Sequence, residues 1–258
     1  MGSHFQPTRD EDVSALTLRI DQGNERPNYP IVTILVDGED RLGRLDGGFI
    51  GFDPEELLDT GALMPGHPPR RVAVYRCSCG EAGCACIAPV IEQSENRVVW
   101  SDFRDYTGVF VRPLVDHVPR GGTALGVGSI TFDAEQYLRE VERAMGDRSW
   151  ESDARLTARL LREHLELHFD ELANRGYWRG WVAPSWEVDG EFHVDFIAPT
   201  GQIVVALRPS SADPTAAALE MADEVLRTDP ALWNVTINNA WPDDSIRAAI
   251  EARARGRR

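Results

Sequence analysis

The pattern of apolar and polar positions divides the chain into short strands first and helices later. Leu16, Leu18 and Ile20 alternate with Thr17 and Arg19, the period-two signature of a half-buried strand. Residues 31–36 form a more continuously apolar run, and Asp37-Gly38 after it reads as a hairpin turn. Residues 43–51 are glycine-rich and predict a flexible stretch without a G-x-G-x-x-G nucleotide fingerprint. Asp53-Pro54 opens a short helix over residues 55–58: a capping residue, proline at the first position, acids in the first turn. Residues 72–79 and 84–92 read as two arms of a hairpin around Gly80-Glu81-Ala82-Gly83. A further strand over 98–103 follows the polar turn 94–97, and residues 107–129, rich in proline and glycine, read as a long loop.

Helical spacing takes over after that loop. Asp133 caps a helix reaching about residue 145, with Tyr137, Leu138 and Val141 on its apolar side. A polar break at 146–152 precedes a longer helix to about residue 173. Three strands follow at 181–188, 192–197 and 202–207. Phe192, Val194 and Phe196 face the core there, and Glu191, His193 and Asp195 face water. Asp213-Pro214 starts a helix to about 227, residues 234–238 form a short strand, and Asp243 caps a last helix. Strands and helices are segregated, which predicts an α+β fold. Its N-terminal half is antiparallel and β-rich with a cysteine hairpin. Two central helices follow, then a C-terminal β-meander packed on helices. The expected organisation is a loose tail at 1–12, a β-rich part at 13–149 that includes the first helix, and a second part at 150–258.

Composition narrows the function. The formal net charge of −15 makes nucleic acid a poor partner, because a phosphate backbone needs positive surface. The charge is read as an aid to solubility, with a basic protein as the partner it would otherwise favour. No stretch approaches the roughly 20 apolar residues of a membrane span, and the start lacks an apolar signal core, so a cytoplasmic location is expected. All 27 basic residues are arginine. The absence of lysine excludes a P-loop lysine, a Schiff base and a pyridoxal-phosphate linkage, and GC-rich coding explains it. There is no G-x-S-x-G nucleophile elbow.

The four cysteines are the leading candidate site. Cys77, Cys79, Cys84 and Cys86 form C-x-C-x4-C-x-C. Side chains at i and i+2 of a strand share a face. With a four-residue turn, Cys79 falls opposite Cys84 and Cys77 opposite Cys86, so all four sulfurs are expected on one face. The glycines at 80 and 83 would supply the turn dihedrals. Four thiolates are the ligand set of a closed structural zinc site. Cross-strand disulfides, dithiol redox chemistry and an empty reduced cluster remain as alternatives.

Cys77-Ser78-Cys79-Gly80, with Cys84 after it, resembles the C-x-C-G-x3-C zinc loop that follows the catalytic part of SET-domain methyltransferases. In that family the fourth thiolate comes from elsewhere; here Cys86 would supply it. The family's catalytic asparagine-histidine and tyrosine motifs are absent, so the resemblance does not imply methyltransferase activity. A broader resemblance is to uncharacterised bacterial proteins from GC-rich genomes. It is carried by the glycine-cysteine hairpin, by Val98-Val99-Trp100-Ser101-Asp102-Phe103 and by Phe132-Asp133-Ala134-Glu135-Gln136-Tyr137. That resemblance implies kinship and brings no activity.

Two further groups could carry chemistry. His164 and His168 stand one helical turn apart in H-x-E-x-H, with Glu171 as a conceivable third metal ligand. They fall in the apolar sector formed by Leu156, Leu160, Leu161, Leu165, Leu167 and Leu172, and so read as hydrogen-bonded inner histidines. Glu166 projects to the far side, which defeats a metalloprotease mechanism. Trp100, Asp102, Phe103, Asp105 and Tyr106 could line a cleft, but read as core aromatics with aspartates capping the exit loop. His117 and Asp116 are too little for a triad. The expected function is a non-catalytic protein that binds an unidentified partner through a zinc hairpin. The alternative is a hydrolase using the His164/His168 face or the strand at 100–106.

Overall fold

The computed structural model describes residues 13–23, 26–45, 48–115, 121–198 and 201–240. The expected tail at 1–12, the pair Asp116 and His117, the turn Pro199-Thr200 and the helix after Asp243 lie outside the described residues. The chain divides into two compact units, Met1–Trp150 and Glu151–Arg258. The protein is α+β. Among the described residues no helix is long and apolar enough to cross a membrane.

The first unit runs β1 (Val13–Ser14), β2 (Leu16–Gly23), β3 (Arg26–Val36), β4 (Phe49–Gly51), α1 (Pro54–Leu57), β5 (Arg70–Arg71), β6 (Tyr75–Cys77), β7 (Cys86–Ser94), β8 (Arg97–Tyr106), β9 (Thr123–Ala124), β10 (Ile130–Asp133) and α2 (Ala134–Gly146). Its main sheet has the order β1-β10-β8-β7-β6-β4, with β5 added to β7 and β9 to β8. Only β1 and β10 are parallel among these pairs. The β7–β8 hairpin is closed by a two-residue loop: Ser94 pairs with Arg97, and Glu95 adopts φ 51°. Its ladder slips between Ala88 and Val90, where Pro89 has no N–H to donate. Asp102, across that bulge, has φ 47°. The loop after β8 is less irregular than expected, since β9 pairs with β8 and Leu114 bridges to Val72.

Alternation along β2 and β3 buries Leu16, Leu18, Val32, Ile34 and Val36 in the same core as Trp100, Phe132 and Tyr137. Asp37 (φ 55°) and Gly38 (φ 82°) make the expected tight turn, although it closes a single bridge, Val36 to Glu39, and no longer hairpin. Asp53 and Asp133 cap α1 and α2 as expected, accepting from Glu55 N–H and Gln136 N–H. The Trp100 indole donates to the Tyr137 hydroxyl (3.1 Å), which in turn donates to the Leu63 carbonyl (2.8 Å), so both buried polar aromatics are satisfied. Tyr75 also uses its hydroxyl twice, accepting from Ile34 N–H (3.0 Å) and donating to Asp40 (2.9 Å).

The free edge of β2 is closed by side chains of α2. Gln136 accepts from Leu16 N–H (3.1 Å) and donates to the Leu16 carbonyl (2.7 Å). Glu140 accepts from Leu18 N–H (2.7 Å), and Arg143 donates to the Leu18 carbonyl (2.7 Å). Two strand residues advance about 6.8 Å, and four helical residues about 6 Å, so the two repeats nearly match. The helix thus stands in for the missing neighbour strand.

The second unit runs α3 (Asp153–Leu167), α4 (Phe169–Asn174), β11 (Trp178–Pro184), β12 (Phe192–Ala198), β13 (Gly201–Leu207), α5 (Pro214–Arg227), a 3-10 turn (Pro230–Leu232) and β14 (Val235–Ala240). The sheet is an antiparallel meander in the order β11-β12-β13-β14. Ala158, Leu161 and Leu165 of α3 share a core with Val194, Phe196, Val205, Ala218, Met221 and Val225. Asp213 and Pro214 start α5 as expected.

Two expectations are corrected here. The long helix is broken at His168 (φ −108°, ψ 20°) into α3 and α4, with neither glycine nor proline at the break. The face of β12 expected to be wet is largely dry, since Glu191 and Asp195 are both buried. Asp195 is enclosed by its neighbours: Gln202 donates to it (2.9 Å), Trp181 N–H also bonds it, and the β11 bulge at Gly180 makes room for it.

Candidate metal centre

The cysteine segment is a hairpin, but its register differs from the expected one by a single residue. Tyr75 pairs with Ile87 and Arg76 with Cys86, and Cys77 N–H donates to the Ala85 carbonyl (2.9 Å). Residues directly opposite in an antiparallel ladder share a face, so Cys86 lies with Arg76, on the side away from Cys77. Cys86 is fully buried in the first unit's core. The expectation that all four sulfurs converge is therefore corrected: a one-residue change in register sends Cys86 to the opposite face.

The remaining three do converge. Past Cys77 the ladder gives way to two successive tight turns, with Gly80 N–H bonded to the Cys77 carbonyl (2.9 Å) and Cys84 N–H to the Glu81 carbonyl (3.2 Å). Gly80 takes φ +94°, a conformation that suits glycine, whereas Gly83 has no positive φ, contrary to expectation. Neighbouring segments hold the tip from both sides: Ser78 N–H donates to the Gly48 carbonyl (2.9 Å) and Gly108 N–H to the Gly83 carbonyl (2.7 Å). The Sγ atoms of Cys77, Cys79 and Cys84 all lie within 4.8 Å of one another. A tetrahedral ion with metal–sulfur bonds of about 2.3 Å needs sulfurs about 3.8 Å apart, so small rotations of the side chains suffice to hold one. All four cysteines are free thiols; Cys79 and Cys84 are exposed and Cys77 half-buried.

The electrostatics of the trio favour sharing protons. The Cys79 N–H, the Cys79 and Cys84 thiols and the Ser78 hydroxyl hold the Cys77 thiol below its ordinary range, against a weaker opposing effect of burial. Cys84, donating to Cys77 and Cys79, is pushed up to about 11. Ionisation is thus favoured at Cys77 while Cys84 keeps its proton, and a cation bound here would displace the protons. Cys86 is different: burial, with the nearby Asp105 charge, pushes it up to about 12, against a bond from Tyr106 N–H.

The other candidates are not assembled into comparable groups. Among the described residues, Cys77, Cys79 and Cys84 are the metal-competent group, and His164, His168 and Glu171 do not form one. His168 is exposed and pairs with Glu171 (3.4 Å), and His164 is half-buried. The inner-histidine reading fails for His168, and Leu167 is 80% exposed, because the helix breaks there. The aromatics of β8 behave as core: Trp100, Phe103 and Tyr106 are buried. The two aspartates do not cap the exit loop. Asp102 holds the buried Arg71 and also pairs with Arg104, while Asp105 accepts from Cys86 N–H (3.2 Å). Arg71 further donates to the Ala88 and Asp102 carbonyls (both 2.7 Å), so Asp102 and Arg71 bind the bulge together. Sequence reasoning missed this pair, which no local spacing signals.

Comparison with protein-family models, with curated proteins and with solved structures found no match for the chain.

Proposed function

We propose that this chain is a non-catalytic cytoplasmic protein that binds a protein partner through its cysteine hairpin, whose tip holds one zinc ion on Cys77, Cys79 and Cys84. The observation that carries the reading is the convergence of three sulfurs within 4.8 Å on a solvent-facing turn. Thiolates select soft and borderline cations, and zinc needs no redox partner and imposes no geometry that this turn resists. The resemblance of Cys77-Ser78-Cys79-Gly80 and Cys84 to the zinc loop following SET domains supports the same three ligands. The ion would lock the two turns between Cys77 and Cys84 together, giving a partner a preordered surface and sparing it the cost of ordering a loop. The net charge of −15 supports a protein partner over a nucleic acid.

The test is metal content of the full chain purified reduced. One zinc per chain is expected, lost on Cys77→Ser, Cys79→Ser or Cys84→Ser and retained by Cys86→Ala. Absence of stoichiometric zinc would reject the site, and loss of zinc with Cys86→Ala would reject the ligand set.

A further inference from the structure

The tip offers three protein donors, whereas zinc and cobalt(II) in thiolate sites take four. We infer that the fourth position is open to an incoming neutral nitrogen donor of the imidazole class, such as a histidine of the partner. This rests on the metal reading above. It says what that metal binds next.

Three observations lead to it. First, the missing thiolate cannot come from Cys86. With Arg76 paired to Cys86 and Tyr75 to Ile87, bringing Cys86 to the tip requires β7 to slip by one residue. That slip would turn Ile87, Ala88 and Ile91, all buried, away from their places. Among the described residues no other cysteine, histidine or carboxylate joins the group. Second, the tip is open. Cys79 and Cys84 are exposed, and a methyl group built on Gly80, or on Gly108 beside the tip, would meet nothing within 4 Å. An incoming ligand therefore has room. Third, charge selects its class. A divalent cation on three thiolates carries one net negative charge, and the turn itself contributes Glu81 on a chain of −15. A fourth thiolate or a carboxylate would add another negative charge to this surface. An imidazole adds none and is a standard fourth ligand of zinc. With no such ligand present, water takes the position.

The consequence is a metal-dependent contact: a histidine reaching the tip would be recognised by a coordinate bond, and the partner would be lost along with the metal. Cobalt(II) makes the position visible, because its d–d bands report coordination and its sulfur-to-metal charge-transfer band reports thiolates. The full chain, kept reduced with a phosphine and loaded with one equivalent of cobalt(II), is titrated with free imidazole and, separately, with 2-mercaptoethanol. The expected result is a saturable one-site shift of the d–d bands with imidazole while the charge-transfer intensity is kept. Half-saturation should come at lower concentration than with the thiol, and the titration should be the same in Cys86→Ala. A bound cobalt whose spectrum ignores imidazole would overturn the inference. So would a spectrum altered by Cys86→Ala before any ligand is added, or tighter binding of the thiol. Failure to bind cobalt stoichiometrically would instead sink the metal reading on which the inference stands.

Discussion

At the scale of single residues, environment separates groups that composition treats alike. The four thiols are the clearest case. Cys77 is held low by its neighbours, Cys84 rises to about 11, and buried Cys86 rises to about 12. In the reduced, metal-free protein, iodoacetamide at neutral pH is therefore expected to label Cys77 ahead of Cys84. Cys86 should react only on unfolding. Mass-spectrometric mapping would show this order, and equal early labelling of Cys86 would contradict its placement in the core. Asp195 gives a second case. Burial raises its pKa, against bonds from Gln202 and Trp181 N–H. A carboxyl whose folded pKa lies above its unfolded value stabilises the fold while protonated, and this contribution is lost as pH rises through the folded pKa. Asp195→Asn, with Gln202 free to flip its amide, should raise the melting temperature at pH 7 and lose that advantage near pH 4. A uniform destabilisation at both pH values would show that the carboxylate is needed charged. Beside it, a Cβ on Gly180 would stand 1.9 Å from the Asp195 carboxylate, so Gly180→Ala should cost about 1–3 kcal/mol by denaturant titration.

At the scale of elements, α2 completes β2. Gln136, Glu140 and Arg143 recur on one helix face at the spacing of alternate strand residues, and together they satisfy backbone groups of Leu16 and Leu18. Removing Glu140 leaves the Leu18 N–H unpaired beside the core. Glu140→Ala is thus expected to cost about 1–3 kcal/mol, against less than about 0.5 kcal/mol for Glu135→Ala on the exposed side. Burial opposes ionisation of Glu140, but Arg143 and the Leu18 N–H outweigh it and hold its pKa below the usual value. The sign is opposite to that of Asp195: this contribution is present above the unfolded pKa and is lost as pH falls through the folded one. Glu140→Gln should flatten the acid limb of the stability curve, and an unchanged limb would assign that dependence elsewhere.

For the whole molecule, the first unit has its own core around Trp100, Phe132 and Tyr137, and the second has one around Val194, Phe196 and Met221. The cysteine trio lies at the end of one hairpin in the first unit and closes only a short loop, so a metal bound there would act locally. Chelation is expected to leave circular dichroism nearly unchanged. Amide exchange should rise mainly between Tyr75 and Ala88, with residues 151–240 unaffected. Global unfolding on metal removal would show that the tip supports the whole unit.

Much of this was written locally. Alternation at Leu16, Leu18 and Ile20 specified a strand, and Asp53, Asp133 and Asp213 specified where helices start. The spacing of the four cysteines confined them to one hairpin, without saying which three would meet. Each of these signals concerns residues that meet within a few positions, where chain geometry leaves little choice. The register of β6 against β7 is another matter. Cys86, Ile87 and Ala88 are buried in succession, so alternation cannot say which face Cys86 takes. That choice was made by the pairing of β7 with β8 and by Tyr75 reaching Ile34 and Asp40. The drying of Asp195 and the pairing of Arg71 with Asp102 are of the same kind. Each depends on a partner distant in sequence or on what covers a face, and neither is encoded in the spacing of neighbouring residues.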